Sequence, residues 1–228
     1  MRLHPDMLKA YYRWHAPVYD ITRWTFLFGR RELVTRAAEH HPLRILEVGC
    51  GTGHNLAALH HAVPESAVTG CDLSASMLEH ARRRMQGARL IEGQFPDTPD
   101  IVPGSYDLVL FSYVLSMCGD DAPHILQRAA RYLTPHGVIA VVDFHDTPLH
   151  WFRRWMACNH TSLSGQLLPQ IQTQFVTQHL RIAPAYGGLW RYFQYLGHTH
   201  EPMPEATDGS GVRRHDRHAQ TSGEESAR

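Results

Sequence analysis

Lysine is almost missing from this 228-residue chain: of its 22 cationic side chains, Lys9 stands alone against 21 arginines. Where no fork geometry is required the two cations interchange on a surface, so this bias reads as codon usage rather than chemistry. An excess of either charge is missing too. Lys plus Arg equals Asp plus Glu at 22 each, which gives no field for holding nucleic acid by its phosphates. Cysteine is scarce, with Cys50, Cys71, Cys118 and Cys158 and no C-x-x-C pair. That excludes a disulfide framework and fits reduced thiols in a cytoplasmic protein. No apolar run approaches the roughly 20 residues needed to span a bilayer, and the start, Met1-Arg2-Leu3-His4-Pro5-Asp6, has no apolar signal core. The 18 histidines are scattered; the pairs His40–His41 and His60–His61 do not share a helix face, and no spacing suits a metal site. The metal expectation is therefore none.

What is present is a body with 43% hydrophobic residues, enough for one domain with a full core. Residues 1–40 are rich in aromatics: Tyr11, Tyr12, Trp14, Tyr19, Trp24, Phe26 and Phe28. Their spacing suits helices, broken near Pro17 and at Gly29, with a helix from Arg30 to His40 that Pro42 ends. From residue 44 short apolar runs alternate with helical patterns. Strands are expected at 44–48, 67–72, 89–92, 106–111 and 137–143, and helices at 54–61, from the Ser74 or Ser76 cap to about 85, and at 121–133. Pro135-His136-Gly137 reads as a turn. The last of these strands is apolar throughout, as in a strand buried on both faces. The expected fold is α/β, a doubly wound, mostly parallel, Rossmann-like sheet behind an N-terminal helical segment. Residues 150–183 are expected to hold one or two helices and 191–197 a late strand. The chain divides into an N-terminal helical lid (1–40), a ligand-binding domain (41–200) and a disordered tail (201–228), which is Pro, Gly, Ser, His and charge with few large apolar residues.

The most specific stretch is Ile45-Leu46-Glu47-Val48-Gly49-Cys50-Gly51-Thr52-Gly53. A strand enters a glycine turn and a helix leaves it. Glycines at alternate positions let backbone approach a ligand, and the helix start offers free N–H groups. Asp72 closes the second strand about 20 residues on, where an acid can accept both hydroxyls of a ribose. The turn reads G-x-G-x-G, not the dinucleotide G-x-G-x-x-G, and Glu47 precedes it. A carboxylate there repels a pyrophosphate and suits a cationic ligand.

These residues resemble the first motif, E/D-x-G-x-G-x-G, of the class I S-adenosylmethionine-dependent methyltransferases. The resemblance runs over about 45–142, taking in Asp72, Tyr106-Asp107-Leu108-Val109-Leu110 and the Leu133-Thr134-Pro135-His136-Gly137 turn. It implies the cofactor S-adenosyl-L-methionine, held by Glu47, Gly49, Cys50, Gly51, Thr52, Gly53, Asp72, Leu73, Met77, Gln94 and Ser112. At Gly93-Gln94-Phe95 the chain departs from the Gly-Asp-Ala of many relatives. Tyr19-Asp20-Ile21-Thr22-Arg23, Gly29-Arg30, Phe111-Ser112-Tyr113-Val114-Leu115-Ser116-Met117 and Val142-Asp143-Phe144 are similar to the ubiquinone/menaquinone and betaine-lipid N-methyltransferase branches.

Methyl transfer from a sulfonium is an in-line displacement in which the protein chiefly aligns the reactants and excludes water. Candidates on the acceptor side are Asp143 and His145, two apart beyond the fifth strand, and Tyr19, whose ring face can hold a cation. The same residues also fit a strand-end Asp–His pair and an aromatic core stripe. Tyr113 either lines the pocket or packs. Leu149-His150-Trp151-Phe152-Arg153-Arg154-Trp155-Met156 reads as a membrane-interface helix or as a surface helix tucking its tryptophans inward.

The expected activity is methylation of a small molecule: the amine of a lipid headgroup or a related amine, or alternatively a quinol or phenol ring. A nucleotide-dependent oxidoreductase and a non-catalytic cofactor-binding module are the readings from other classes. Expected partners are a small-molecule acceptor, a membrane lipid or quinol, and no nucleic acid. The expected location is cytoplasmic, with peripheral contact at the inner face of a membrane.

Overall fold

The computed structural model describes residues 27–98 and 100–200. The expected lid before Leu27, with Tyr11 and Tyr19, and the expected tail at 201–228 lie outside the described residues.

Seven strands form one sheet in the order β3-β2-β1-β4-β5-β7-β6. They are β1 (Arg44–Val48), β2 (Ala67–Asp72), β3 (Arg89–Glu92), β4 (Tyr106–Ser112), β5 (Leu133–Phe144), β6 (Phe175–Ala185) and β7 (Trp190–Thr199). β1 to β5 run parallel, and β7 is antiparallel to both β5 and β6. The helices are α1 (Arg30–Ala38), α2 (His54–Ala62), α3 (Ala75–Arg84), α4 (Ala122–Tyr132), α5 (His150–Cys158) and α6 (Leu167–Gln174). The doubly wound, mostly parallel Rossmann-like sheet expected from the alternation is the fold observed.

Period-two alternation divides the core cleanly. Ile45, Leu108, Leu110, Val138, Ala140 and Val142 face one side, with Leu33 of α1, Leu56 of α2, Leu78 of α3 and Phe152 of α5. Leu46, Val109, Phe111, Ile139 and Val141 face the other, with Leu126 of α4 and Ile171 of α6. Both faces are covered, which is why the central strands read as continuous apolar runs. Chain order reverses between β1 and β4. The turn after β1 and Ser112 at the end of β4 therefore flank a switch-point crevice, where open α/β sheets bind ligands.

Three elements differ from the sequence reading. β5 begins at Leu133, directly after α4, and absorbs the Pro135-His136-Gly137 turn as a bulge: Tyr106 pairs with Leu133 and Leu108 with Val138. β6 occupies 175–185, where helix was expected to extend. It is an edge strand with most side chains outward and Pro184 near its end, so it carries neither strict alternation nor a continuous apolar run. Ser74, not Ser76, caps α3: its hydroxyl accepts from the Met77 N–H at 3.4 Å.

Candidate active site

The glycine turn is folded back on the end of β2. Gly49 and Cys50 both donate to the Cys71 carbonyl, at 2.7 and 3.1 Å, and Gly53 donates to Cys50 at 3.0 Å before capping α2. Gly49, Gly51 and Gly53 all have positive φ, at 69°, 53° and 75°, a region that side chains disfavour. A Cβ at Gly49 would strike Val114 and one at Gly53 would press on Ala81, whereas at Gly51 it would meet nothing within 4 Å. Gly49 and Gly53 thus serve packing, and Gly51 opens onto the pocket. Gly51→Ala is expected to fold, with a loss of about 1 kcal/mol from the positive φ, while its affinity for the donor falls by a larger factor. Calorimetric titration beside thermal melts separates the two effects.

Asp72 ties this turn to the next. Its Oδ2 accepts from Gly51 N–H at 2.8 Å and its Oδ1 from Ser74 N–H at 2.9 Å.

Glu47 is fully enclosed at the end of β1. Asn55 of α2 donates to its Oε1 at 2.7 Å, while Oε2 is buried with no hydrogen-bond partner among the described residues. Burial pushes this carboxyl up to about 8, against the opposing effects of Asn55 and of the nearby Arg30. The Ser112 hydroxyl is also buried without a partner. Glu47 and Ser112 line one pocket together with Leu27, Arg30, Gly49, Cys50, Gly51, Thr52, His54, Asn55 and Met77. Burial, with Arg84 and Arg30 near it, pushes His54 down to about 4, so its ring is neutral at physiological pH. Burial also raises the Cys50 thiol, which keeps it protonated there.

Seven of the sequence candidates, Glu47, Gly49, Cys50, Gly51, Thr52, Met77 and Ser112, meet in this pocket. Asp72 joins them through Gly51. Gly53 sits behind the turn, Leu73 follows β2 half-buried, and Gln94 is exposed beyond β3, its carbonyl accepting from the Asp97 N–H. Leu27, His54 and Asn55 are wall residues that motif reading does not supply, and Arg30, quoted above with Gly29 but given no site role, joins them.

Asp143 and His145 share a face, as their spacing suggests, but each has its own surroundings. Asp143 is fully buried, alternating with Ile139 and Val141, and accepts from the N–H groups of Ser116 at 3.1 Å and Phe144 at 2.8 Å. Burial lifts it to about 6. It pins the segment that follows β4, and neither solvent nor the pocket reaches it. His145 packs its ring on Phe193 and lies 4.0 Å from Asp146, with Nδ1 buried and unpartnered. Burial holds its pKa below the usual imidazole range, outweighing Asp146. Tyr113 packs: its hydroxyl donates to the Phe28 carbonyl at 2.8 Å and its ring meets Phe144 edge-on. No group of three metal-binding side chains occurs among the described residues.

Comparison with known proteins agrees with this geometry. Residues 45–137 match the family described as a methyltransferase domain. The chain is 33% identical over 129 residues to a trans-aconitate 2-methyltransferase of Rhodopseudomonas palustris, covering 56% of this chain and 49% of that one. It is 33% identical over 132 residues to a ubiquinone/menaquinone biosynthesis C-methyltransferase of Desulfotalea psychrophila, covering 55% and 53%. The chain thus spans about half the length of the curated relatives it matches. Among solved structures, the 1,6-didemethyltoxoflavin-N1-methyltransferase of Burkholderia thailandensis, with its substrate and S-adenosylhomocysteine bound, superposes with a TM-score of 0.65 at 16% identity, covering 87% of this chain and 92% of that one. Residues 45–137 thus match a methyltransferase domain, and the fold is the Rossmann-like one that these solved structures share.

Proposed function

We propose that this chain transfers a methyl group from S-adenosylmethionine to a small molecule, and that the acceptor is the amine of a lipid headgroup or a related amine at a membrane surface. The observation that carries the donor assignment is the unpartnered Glu47 Oε2 at the wall of a glycine-turn pocket. A buried carboxyl with a vacant acceptor is costly unless a cation or donor completes it. A pyrophosphate would instead face a carboxyl it repels.

Bound there, S-adenosylmethionine supplies a methyl already activated by its sulfonium. The chain's own residues bind and orient. Glu47 takes the cationic amino-acid end once it loses its proton, and Asn55 keeps that carboxyl in register. Asp72, the carboxylate at the end of β2 that also holds Gly51 and Ser74, accepts the ribose hydroxyls. Gly51 leaves room for the ligand, and Arg30, in the first turn of α1, faces the donor's carboxylate. An amine acceptor has only to arrive neutral, so no strong general base is required. A quinol or phenol acceptor is the second reading. It would use His145 as the proton acceptor, since burial keeps that half-buried ring neutral.

Incubation with methyl-labelled S-adenosylmethionine and membrane lipid extracts, beside quinol precursors, tests the acceptor. Label is expected in amine-bearing lipids, and label in quinols alone would remove them. Calorimetry with S-adenosylmethionine and with NADH tests the donor. Tight NADH binding with none for the sulfonium would establish the oxidoreductase reading instead.

A further inference from the structure

A second cavity, of about 390 Å³, lies apart from the glycine turn and is lined by Trp151, Phe152, Trp155, Tyr186, Leu189 and Trp190. None of these side chains is charged, and the volume is that of a ligand pocket rather than a packing defect. Its walls are ordered ring stacks. Phe152 stacks on Trp190 at 5.6 Å and on Trp155 at 5.7 Å, and Tyr186 leans on Trp190 at 5.1 Å. Trp190 opens β7 at the carboxyl end of the parallel strands. It packs on Phe28, next in sequence to Leu27 of the donor pocket, and on Phe144 at the end of β5. The two cavities therefore lie along the same edge of the sheet.

The rim is unusual for a surface. Trp151 is 64% exposed, Trp155 50% and Tyr186 54%, and contiguous exposed aromatics mark an interaction site. Beneath them the frame is fixed: the Thr147 hydroxyl donates to the Leu189 carbonyl at 2.6 Å, and Arg191 clamps Asp146. α5 itself, His-Trp-Phe-Arg-Arg-Trp-Met-Ala-Cys, carries Arg153 and Arg154 and no acid. Arg153 donates to the Thr147 carbonyl, and both arginines stand exposed beside the tryptophans. Indole and phenol rings at the edge of an apolar slot, with arginines flanking them, match the chemistry of a bilayer interface whose headgroups are anionic.

We propose that the face formed by α5 and Tyr186 docks on an anionic lipid bilayer, with one hydrocarbon chain entering the aromatic cleft. This deepens the lipid-acceptor reading and rests on it for the identity of the occupant. An acceptor held by its chain in this cleft presents its headgroup along the same sheet edge as the donor pocket. α5 is only nine residues long, so the contact is an anchor point rather than a stable insertion.

The test is sedimentation of the full chain with vesicles of phosphatidylcholine alone and of phosphatidylcholine mixed with phosphatidylglycerol, and tryptophan quenching by lipids brominated along the chain. The native protein is expected to bind the anionic vesicles about tenfold more tightly than the neutral ones and to be quenched. Trp151→Ser/Trp155→Ser is expected to lose at least tenfold of that binding while keeping native circular dichroism and native affinity for S-adenosylmethionine. Native vesicle binding that the double variant retains would overturn the proposal. So would no binding by the native chain, or a native dimer in ultracentrifugation that the double variant dissociates, which would mark the face as a contact between two copies. Loss of the methyltransferase reading would appear separately, as a failure to bind S-adenosylmethionine with vesicle binding intact.

Discussion

Glu47→Gln is expected to bind S-adenosylmethionine about 30-fold more weakly than the native chain near neutral pH, the equivalent of about 2 kcal/mol for a lost charged hydrogen bond. The substitution keeps the shape of the side chain and the oxygen that accepts from Asn55 at 2.7 Å. It removes only the charge that completes the donor's cationic end. The pH profile separates this from a packing effect. In the free protein, burial lifts the Glu47 carboxyl to about 8. Below that value the native site binds the donor only after losing a proton. Affinity should therefore climb nearly tenfold per pH unit from about 6 towards 8, with close to one proton released per donor bound at the acid end of that range. Titrations in buffers of different ionisation enthalpy count that proton. Glu47→Gln should lose the climb and the release together. A variant that binds weakly but keeps both would place the charge elsewhere.

The same carboxyl ties function to stability, in the opposite direction. Its folded value lies above the ordinary 4.5 of an unfolded chain, so between these two values the folded state holds more protons. Stability from this group is complete below about 4.5 and is lost as pH rises towards 8, at up to about 1.4 kcal/mol per pH unit. Asp143, lifted to about 6, adds to the same slope lower in the range. Free of donor, Glu47→Gln should thus melt above the native protein at pH 8 and match it near pH 5. Weaker binding with higher stability is the pattern of a site whose polar strain is kept for its ligand.

How much of this could be read from the chain depends on the range of the interactions. Strand, glycine turn and helix at 45–61 are local, and each has a residue-level cause, so the pocket floor from Glu47 to Thr52 is legible. Asp72 follows from one repeat of the same unit. Arg30 is different. It enters the pocket because Gly29, at φ 77°, turns α1 against β7, where Gln194 donates to the Gly29 carbonyl at 2.7 Å from 165 residues away. No local pattern encodes that contact. Asn55 and His54 lie in the first turn of a helix whose existence is plain, but which of its side chains turn towards Glu47 depends on how α2 meets β1. Asp143 and His145 show the converse case. Period two places them on one face correctly, yet it cannot say that α4 and α6 seal that face. β6 escaped because an edge strand with outward Val176, Leu180 and Ile182 has no buried partner to impose alternation.

Asp72→Ala is expected to weaken S-adenosylmethionine binding by about 1–3 kcal/mol, the range for hydrogen bonds to a charged group, and the structure explains why the loss should fall at the upper end. Asp72 does two things at once. In the proposed complex its carboxylate receives the ribose, and it already holds Gly51 at 2.8 Å and Ser74 at 2.9 Å. Removing the carboxylate takes away the ribose acceptors and releases the one glycine whose open side faces the ligand. The sheet beneath is untouched, since β1, β2 and β4 keep their register through backbone bonds. The variant should therefore melt within a few degrees of the native chain. Asp72→Asn, which keeps one acceptor oxygen, should bind between the two. Competition with S-adenosylhomocysteine and with a ribose-free analogue such as methionine resolves the division of labour. Against Asp72→Ala the adenosyl compound should lose its advantage, while methionine, seated at Glu47, should bind as it does to the native chain. If methionine weakens equally, the principal work of Asp72 is holding the turn; if neither ligand weakens in a folded variant, the ribose assignment fails.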